Sequence, residues 1–183
     1  MKIVIDTNIL IQLMSEGECD PLIDPKTDQP LDNCDRRAVA LVEYIEGKKG
    51  QVLIPSPCLA ELLIGFSKED HVEVVGHLSS YGCIELVPFE EIAATECAGL
   101  ISPAELKQMK NGDTKNKLRF DRQIISIAKA SGADEIWSHD KNLLAVAERE
   151  GLTVKSLADI TPKPEQLDLD SEEDRASEAG PPA

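Results

Sequence analysis

Aromatic side chains are almost missing from this chain: three Phe, two Tyr and one Trp in 183 residues. A base-stacking platform of the kind carried by RNA-recognition sheets and OB-folds needs more rings, so stacking is excluded as the main mode of recognition. Long apolar runs are missing too. Every stretch is interrupted before the roughly 18 residues of a membrane span, and no membrane association is expected. Bases are outnumbered, 19 against 34 acids, and a net charge of −15 argues against a protein that coats nucleic acid nonspecifically. The five cysteines, Cys19, Cys34, Cys58, Cys83 and Cys97, are odd in number and form no C-x-x-C, and their spacings match no zinc framework. Reduced thiols of a cytoplasmic protein are expected. Met1 leads straight into Lys2-Ile3-Val4-Ile5-Asp6, with no apolar stretch or small-residue cleavage site, so no secretory signal is expected.

What is present is an ordinary globular mix, 42% apolar and 29% charged, of a length suited to one domain. Short apolar runs at 3–5, 52–54, 83–87, 135–137 and 152–154 read as strands. Helix-period patterns lie between them, at 7–14, 36–48, from Ser56-Pro57 onward, 67–80, 90–100, 103–110, 118–130 and 141–149. Strands separated by helices predict a three-layer α/β/α sandwich around a mainly parallel sheet of four or five strands. Residues 15–34, with Gly17, Pro21, Pro25 and Pro30, read as a long loop inserted in a domain spanning 1–160. From Thr161 the pattern dissolves. Segment 164–183 holds seven acids against Arg175 alone, and 161–183 is expected to be a disordered acidic tail, either a solubilising segment or a competitor with RNA for the basic patch.

In an open parallel sheet, ligands bind outside the carboxyl ends of the strands. Asp6 directly follows the first strand, and Asp140 comes three residues after Trp137. Glu61, in Leu59-Ala60-Glu61-Leu62-Leu63, and Asp121, in Phe120-Asp121-Arg122-Gln123-Ile124-Ile125, sit on helices beside apolar faces. If the four converge, their charges raise one another's pKa unless a divalent cation neutralises them. Mg2+ or Mn2+ is the natural occupant of such an oxygen-donor set. Two such ions about 4 Å apart can activate water and stabilise the leaving oxygen in phosphodiester hydrolysis. Each acid also has a plain structural role open to it. Asp6 and Asp140 both precede helices and could be N-caps, Glu61 could be a solvated helix residue, and Asp121 could pair with Arg122 or Lys117.

These stretches together resemble the PIN domains, and among them the VapC-like ribonucleases. The matching pieces are residues 3–10 (IVIDTNIL), Ile54-Pro55-Ser56 with Ala60-Glu61-Leu62, residues 120–125 (FDRQII) with Ala128, and residues 138–143 (SHDKNL). The match spans roughly residues 2–160, with the 15–34 loop, the 67–117 region and the tail departing from the family pattern. The resemblance implies that Asp6, Glu61, Asp121 and Asp140 bind Mg2+ or Mn2+ and cleave RNA, leaving a 5′-phosphate and a 3′-hydroxyl. It further implies that Ser138 and Asn8 support the site by hydrogen bonding. A homodimer, silenced by a small antitoxin protein whose peptide covers the groove, is implied in the same way.

One feature supports an RNA substrate independently. Lys107, Lys110, Lys115, Lys117, Arg119 and Arg122 crowd 16 residues against Asp113 and Asp121, a local +4 beside a candidate catalytic acid. Phosphate contacts need such a patch, although a charge run is commonly just solvated surface. A dehalogenase-like phosphatase also places Asp after its first strand, but needs a second acid two positions on, where this chain has Asn8. Neither glycine-rich phosphate-binding motif is present. A non-catalytic PIN-fold scaffold, binding RNA or another protein, stays open as the alternative to a nuclease.

Overall fold

The computed structural model defines residues 1–15, 19–100 and 112–162, with side chains from Arg119 onward in the last of these segments. Its strands are β1 (Lys2–Ile5), β2 (Gln51–Pro55), β3 (Ile84–Val87), β4 (Glu135–Trp137) and β5 (Thr153–Lys155). They form one sheet in the order β3-β2-β1-β4-β5, with every pairing parallel. The expectation of a mainly parallel sheet of four or five strands is met at its upper count.

The helices are α1 (Thr7–Met14), α2 (Cys34–Gly47), α3 (Ser56–Ile64), α4 (His71–Ser80), α5 (Glu91–Gly99), α6 (Gly112–Ala130) and α7 (Lys141–Arg149). Right-handed crossovers require that moving one way from β1 places helices on one face and moving the other way places them on the opposite face. The main helix contacts agree, α1 lying on α2 and α3 and α6 lying chiefly on α5, with α3 and α7 each also meeting α6. The result is an α/β/α sandwich. A parallel strand covered on both faces must be apolar throughout, and Ile3, Val4, Ile5, Val52, Leu53, Ile54 and Ile136 are all buried. No helix among the described residues is long and apolar enough to cross a membrane.

Several boundaries differ from the sequence reading. Helix α4 starts at His71 rather than at 67, because Ser67 Oγ donates to Asp70 Oδ2 (2.7 Å) and holds a turn before it. Helix α6 begins six residues earlier than the pattern from 118, since its polar first turns carry no apolar period. The helix expected over 103–110 and the tail from 163 lie outside the described residues.

Helix α2 ends where Lys49 takes a positive φ of 55° and Gly50 N donates to Ile45 O at 2.9 Å. A Cβ on Gly50 would stand 2.6 Å from Met1 O and 3.0 Å from Ile45 Cγ2. Gly50→Ala is therefore expected to cost about 2 kcal/mol by overpacking, read as a lowered urea midpoint with unchanged slope.

The inserted loop is closed on itself. Ile23 and Pro30 form an isolated antiparallel bridge, and Leu31 N donates to Leu22 O at 2.7 Å. Asp24 accepts from Lys26 N (3.0 Å) and Thr27 Oγ1 (2.7 Å), and these bonds hold its carboxyl below the ordinary range. A depressed carboxyl contributes stability above its unfolded pKa of about 3.9, and that contribution is lost as pH falls through the lower folded value. Urea unfolding of wild type and Asp24→Asn is expected to show wild type the more stable at pH 6, with the gap closing as pH drops below 4.

Candidate active site

The strand order reverses at β1, since the chain moves outward through β2 and β3 and then returns to lay β4 and β5 on the other side. A crevice opens at the carboxyl ends where such a reversal occurs, here between β1 and β4. Asp6 and Asp140 flank it. Asp6 N donates to Trp137 O at 3.0 Å, which carries the β1–β4 ladder one residue further and fixes Asp6 at its edge.

Asp6 is 6% exposed and caps α1. Its Oδ1 accepts from Thr7 N (2.7 Å), and its Oδ2 accepts from Ser138 Oγ (2.7 Å) and Asn8 Nδ2 (2.9 Å). The thiol of Cys58, in the first turn of α3, adds a weak contact at 3.9 Å. Burial pushes the Asp6 carboxyl above its ordinary range, against the downward pull of the Ser138 and Thr7 bonds. The negative charges of Glu61 and Asp140 push it further up.

Asp140 caps α7, its Oδ1 accepting from Asn142 N (2.8 Å) and Leu143 N (3.3 Å). Its own N–H donates to Ser138 Oγ at 2.9 Å, so one buried hydroxyl bridges Asp6 and Asp140. Both acids are thus N-caps and neighbours in a cleft at once; the two roles reinforce each other, because helix N-termini favour negative charge. Glu61 is exposed on α3, and its Oε2 accepts from Thr7 Oγ1 at 2.5 Å. Asp121 is half-buried on α6, a helix that packs against α3.

Among the described residues, no three His, Cys, Asp or Glu side chains form a ready-made metal cage. The acids engage their own caps and hydroxyls, and three of them share an electrostatic field. A cavity of about 520 Å³, lined by Gln12, Cys19, Leu31, Asp32 and Arg36 among others, contains none of the four acids.

The basic patch is only partly seen. Arg119 is exposed on α6. Arg122 is 3% exposed, which corrects its assignment to a phosphate-facing surface: it shares the helix face of the buried Ile125 and Ser126. Burial pushes the Cys97 thiol of α5 up, and the nearby Arg122 charge pulls it the other way. Lys107 and Lys110, and the side chains of Lys115 and Lys117, lie outside the described residues.

Sequence reasoning missed Thr7 and Cys58. The signal for Cys58 was its place three residues before Glu61, on the same face of α3.

No protein-family model matches the sequence, and no curated protein matches it. Solved structures do match. VapBC2 from Rickettsia felis, bound to a DNA fragment from its promoter, superposes with a TM-score of 0.54 at 19% identity, over 85% of this chain and 98% of that one. VapBC-1 from nontypeable Haemophilus influenzae gives 0.54 at 13% identity, over 86% and 99%. DNA-bound VapBC from Salmonella typhimurium gives 0.52 at 18% identity, over 86% and 98%. The chain has a VapC-like PIN-domain fold.

Proposed function

We propose that this chain, with its VapC-like PIN-domain fold, is a divalent-metal-dependent endoribonuclease of the toxin type. One observation carries the reading. Asp6 is buried at the carboxyl end of the central strand, and two further carboxylates, Glu61 and Asp140, raise the cost of its charge. A partly desolvated set of like charges is relieved by a cation, and oxygen donors select a hard one such as Mg2+ or Mn2+. The donor chemistry therefore fits the ion, although no cage is preformed.

Asp6, Glu61 and Asp140, with Asp121, would hold the metal. When bound, it supplies an activated water and stabilises charge on the phosphodiester. The protein's own part is orientation. Ser138 and Asn8 fix Asp6, Thr7 fixes Glu61, and the Asn142 and Leu143 amides fix Asp140. Arg119, with Lys115 and Lys117, supplies phosphate contacts on the α6 side. A homodimer and a small antitoxin partner belong to the same reading, and the exposed Ile64, Val72 and Ile92 offer apolar contacts for them.

A second reading, a non-catalytic RNA-binding or interaction scaffold, is favoured by the lack of a formed cage among the described residues. Incubation with a structured RNA decides between them. The nuclease reading expects cutting with Mg2+ or Mn2+ that stops with EDTA and leaves 5′-phosphate ends. RNA retained on the protein without cutting, under every metal, supports the scaffold.

A further inference from the structure

We propose that His139 is a positioning residue that couples the 20–31 loop to Asp140, so that docking of the loop sets the geometry of that carboxylate. The naming of Asp140 as a functional acid rests on the reading above; the coupling itself does not. The His139 Nδ1 lies 2.8 Å from Ile23 O, and its Nε2 lies 3.1 Å from Leu157 N. A neutral imidazole with the proton on Nδ1 satisfies both, donating to the loop carbonyl and accepting from the turn after β5. The backbone N–H of His139 donates to Asn8 Oδ1 at 3.3 Å. One residue thus ties the inserted loop, the final turn and α1 to the peptide that precedes Asp140.

The loop is also fastened at its ends, where Gln12 Nε2 donates to Asp20 O (3.1 Å), Leu22 N donates to Cys34 Sγ (3.4 Å) and Cys34 Sγ donates to Leu31 O (3.0 Å). On the side that faces Asp140 its other attachments are weaker. Lys26 pairs with Asp159 and Lys141 with Asp28, but both lysines and Asp28 are largely exposed, and such pairs contribute little. Within itself the loop is well bonded, through the Leu22–Leu31 and Asp24–Gln29 contacts and the Asp24 cap. The place of a unit closed in this way is decided by where it is fastened. His139 is the fastening on the Asp140 side of the loop, and the next residue along carries the cap bonds to Asn142 and Leu143.

Amide exchange on the full chain tests this. In His139→Ala, the Asn142 and Leu143 amides are expected to exchange about 10-fold faster or more, because they report the Asp140 cap. His139→Gln, which can still donate and accept, should restore most of the protection. The Val4 and Leu53 amides should stay protected in both. Replacement of 24–29 by Gly-Gly, which leaves His139 in place, should raise Asn142 and Leu143 exchange in the same way. It also serves as the deciding variant if His139→Ala fails to fold. Deprotection of Leu157 alone, with Asn142 and Leu143 unchanged, would overturn the coupling and leave His139 a mere tie. In parallel, Mn2+ affinity of His139→Ala should fall about 10-fold, in the range seen for residues that orient metal ligands. A wild-type protein that binds no Mn2+ would sink the metal-nuclease reading, while the exchange result would still decide the coupling.

Discussion

Asp6→Asn is expected to lower metal-dependent RNA cleavage by about three orders of magnitude or more, and at the same time to stabilise the metal-free protein. The first effect follows from position. Asp6 is the acid at the end of the central strand, and its carboxylate accepts from Thr7, Asn8 and Ser138 with no slack to reorient. An amide in its place offers the cation one neutral oxygen and loses the charge on which a hard ion depends. The second effect follows from cost. A carboxylate whose folded pKa is raised contributes stability below its unfolded pKa and loses it as pH rises through the folded value. At neutral pH the Asp6 charge is therefore a burden, chiefly of burial, with Glu61 and Asp140 adding to it. Neutralising it should raise the Tm of the metal-free protein, as read by thermal unfolding at neutral pH. Cleavage lost together with Tm lowered would mean that Asp6 serves the fold more than the chemistry.

Ser138→Ala is the second large effect, and here activity and stability fall together. Ser138 is fully buried, and its hydroxyl donates to Asp6 Oδ2 while accepting from Asp140 N. Removing it strips Asp6 of a donor and leaves a backbone N–H beside a void. Unsatisfied buried groups cost about 1–3 kcal/mol each, and a residue that orients a ligand is worth about 10–100-fold in metal affinity or activity. Urea unfolding should show a loss of about 2–3 kcal/mol, and cleavage should drop in that range without vanishing. A variant with normal cleavage would disconnect the hydroxyl from the site.

The sheet was legible because the central strands are short apolar runs between helix-period segments, buried on both faces, while the edge strands β3 and β5 are less buried and admit Glu85, Thr153 and Lys155. Asp6 and Asp140 were legible because they stand next to strand ends, where position in sequence is position in space. Ser138 and Asn8 came from the resemblance to PIN domains, and both hydrogen-bond Asp6 in the structure. What could not be read depends on packing between distant elements. Arg122 looks like part of a basic surface until α5 covers the face it shares with Ile125. Glu61 is presented by α3, so its distance from Asp6 is set by how that helix sits on α1. The 20–31 loop shows only prolines and acids in sequence. Its docking on His139 is a tertiary event between a backbone carbonyl and a ring more than a hundred residues away. The absence of a ready-made cage among the described residues has the same origin, since helix N-termini and hydroxyls claim oxygens that a one-dimensional reading leaves free.

On the proposed reading, the carboxylates at the β1–β4 crevice hold a divalent cation. Calorimetric titration of Mn2+ into the full chain, beside Asp6→Asn at the same pH and salt, tests it most directly. Saturable binding by the wild type that the variant loses, with the variant at least as stable before metal is added, is the expected result. Equal binding by both proteins, or none by either, would contradict it.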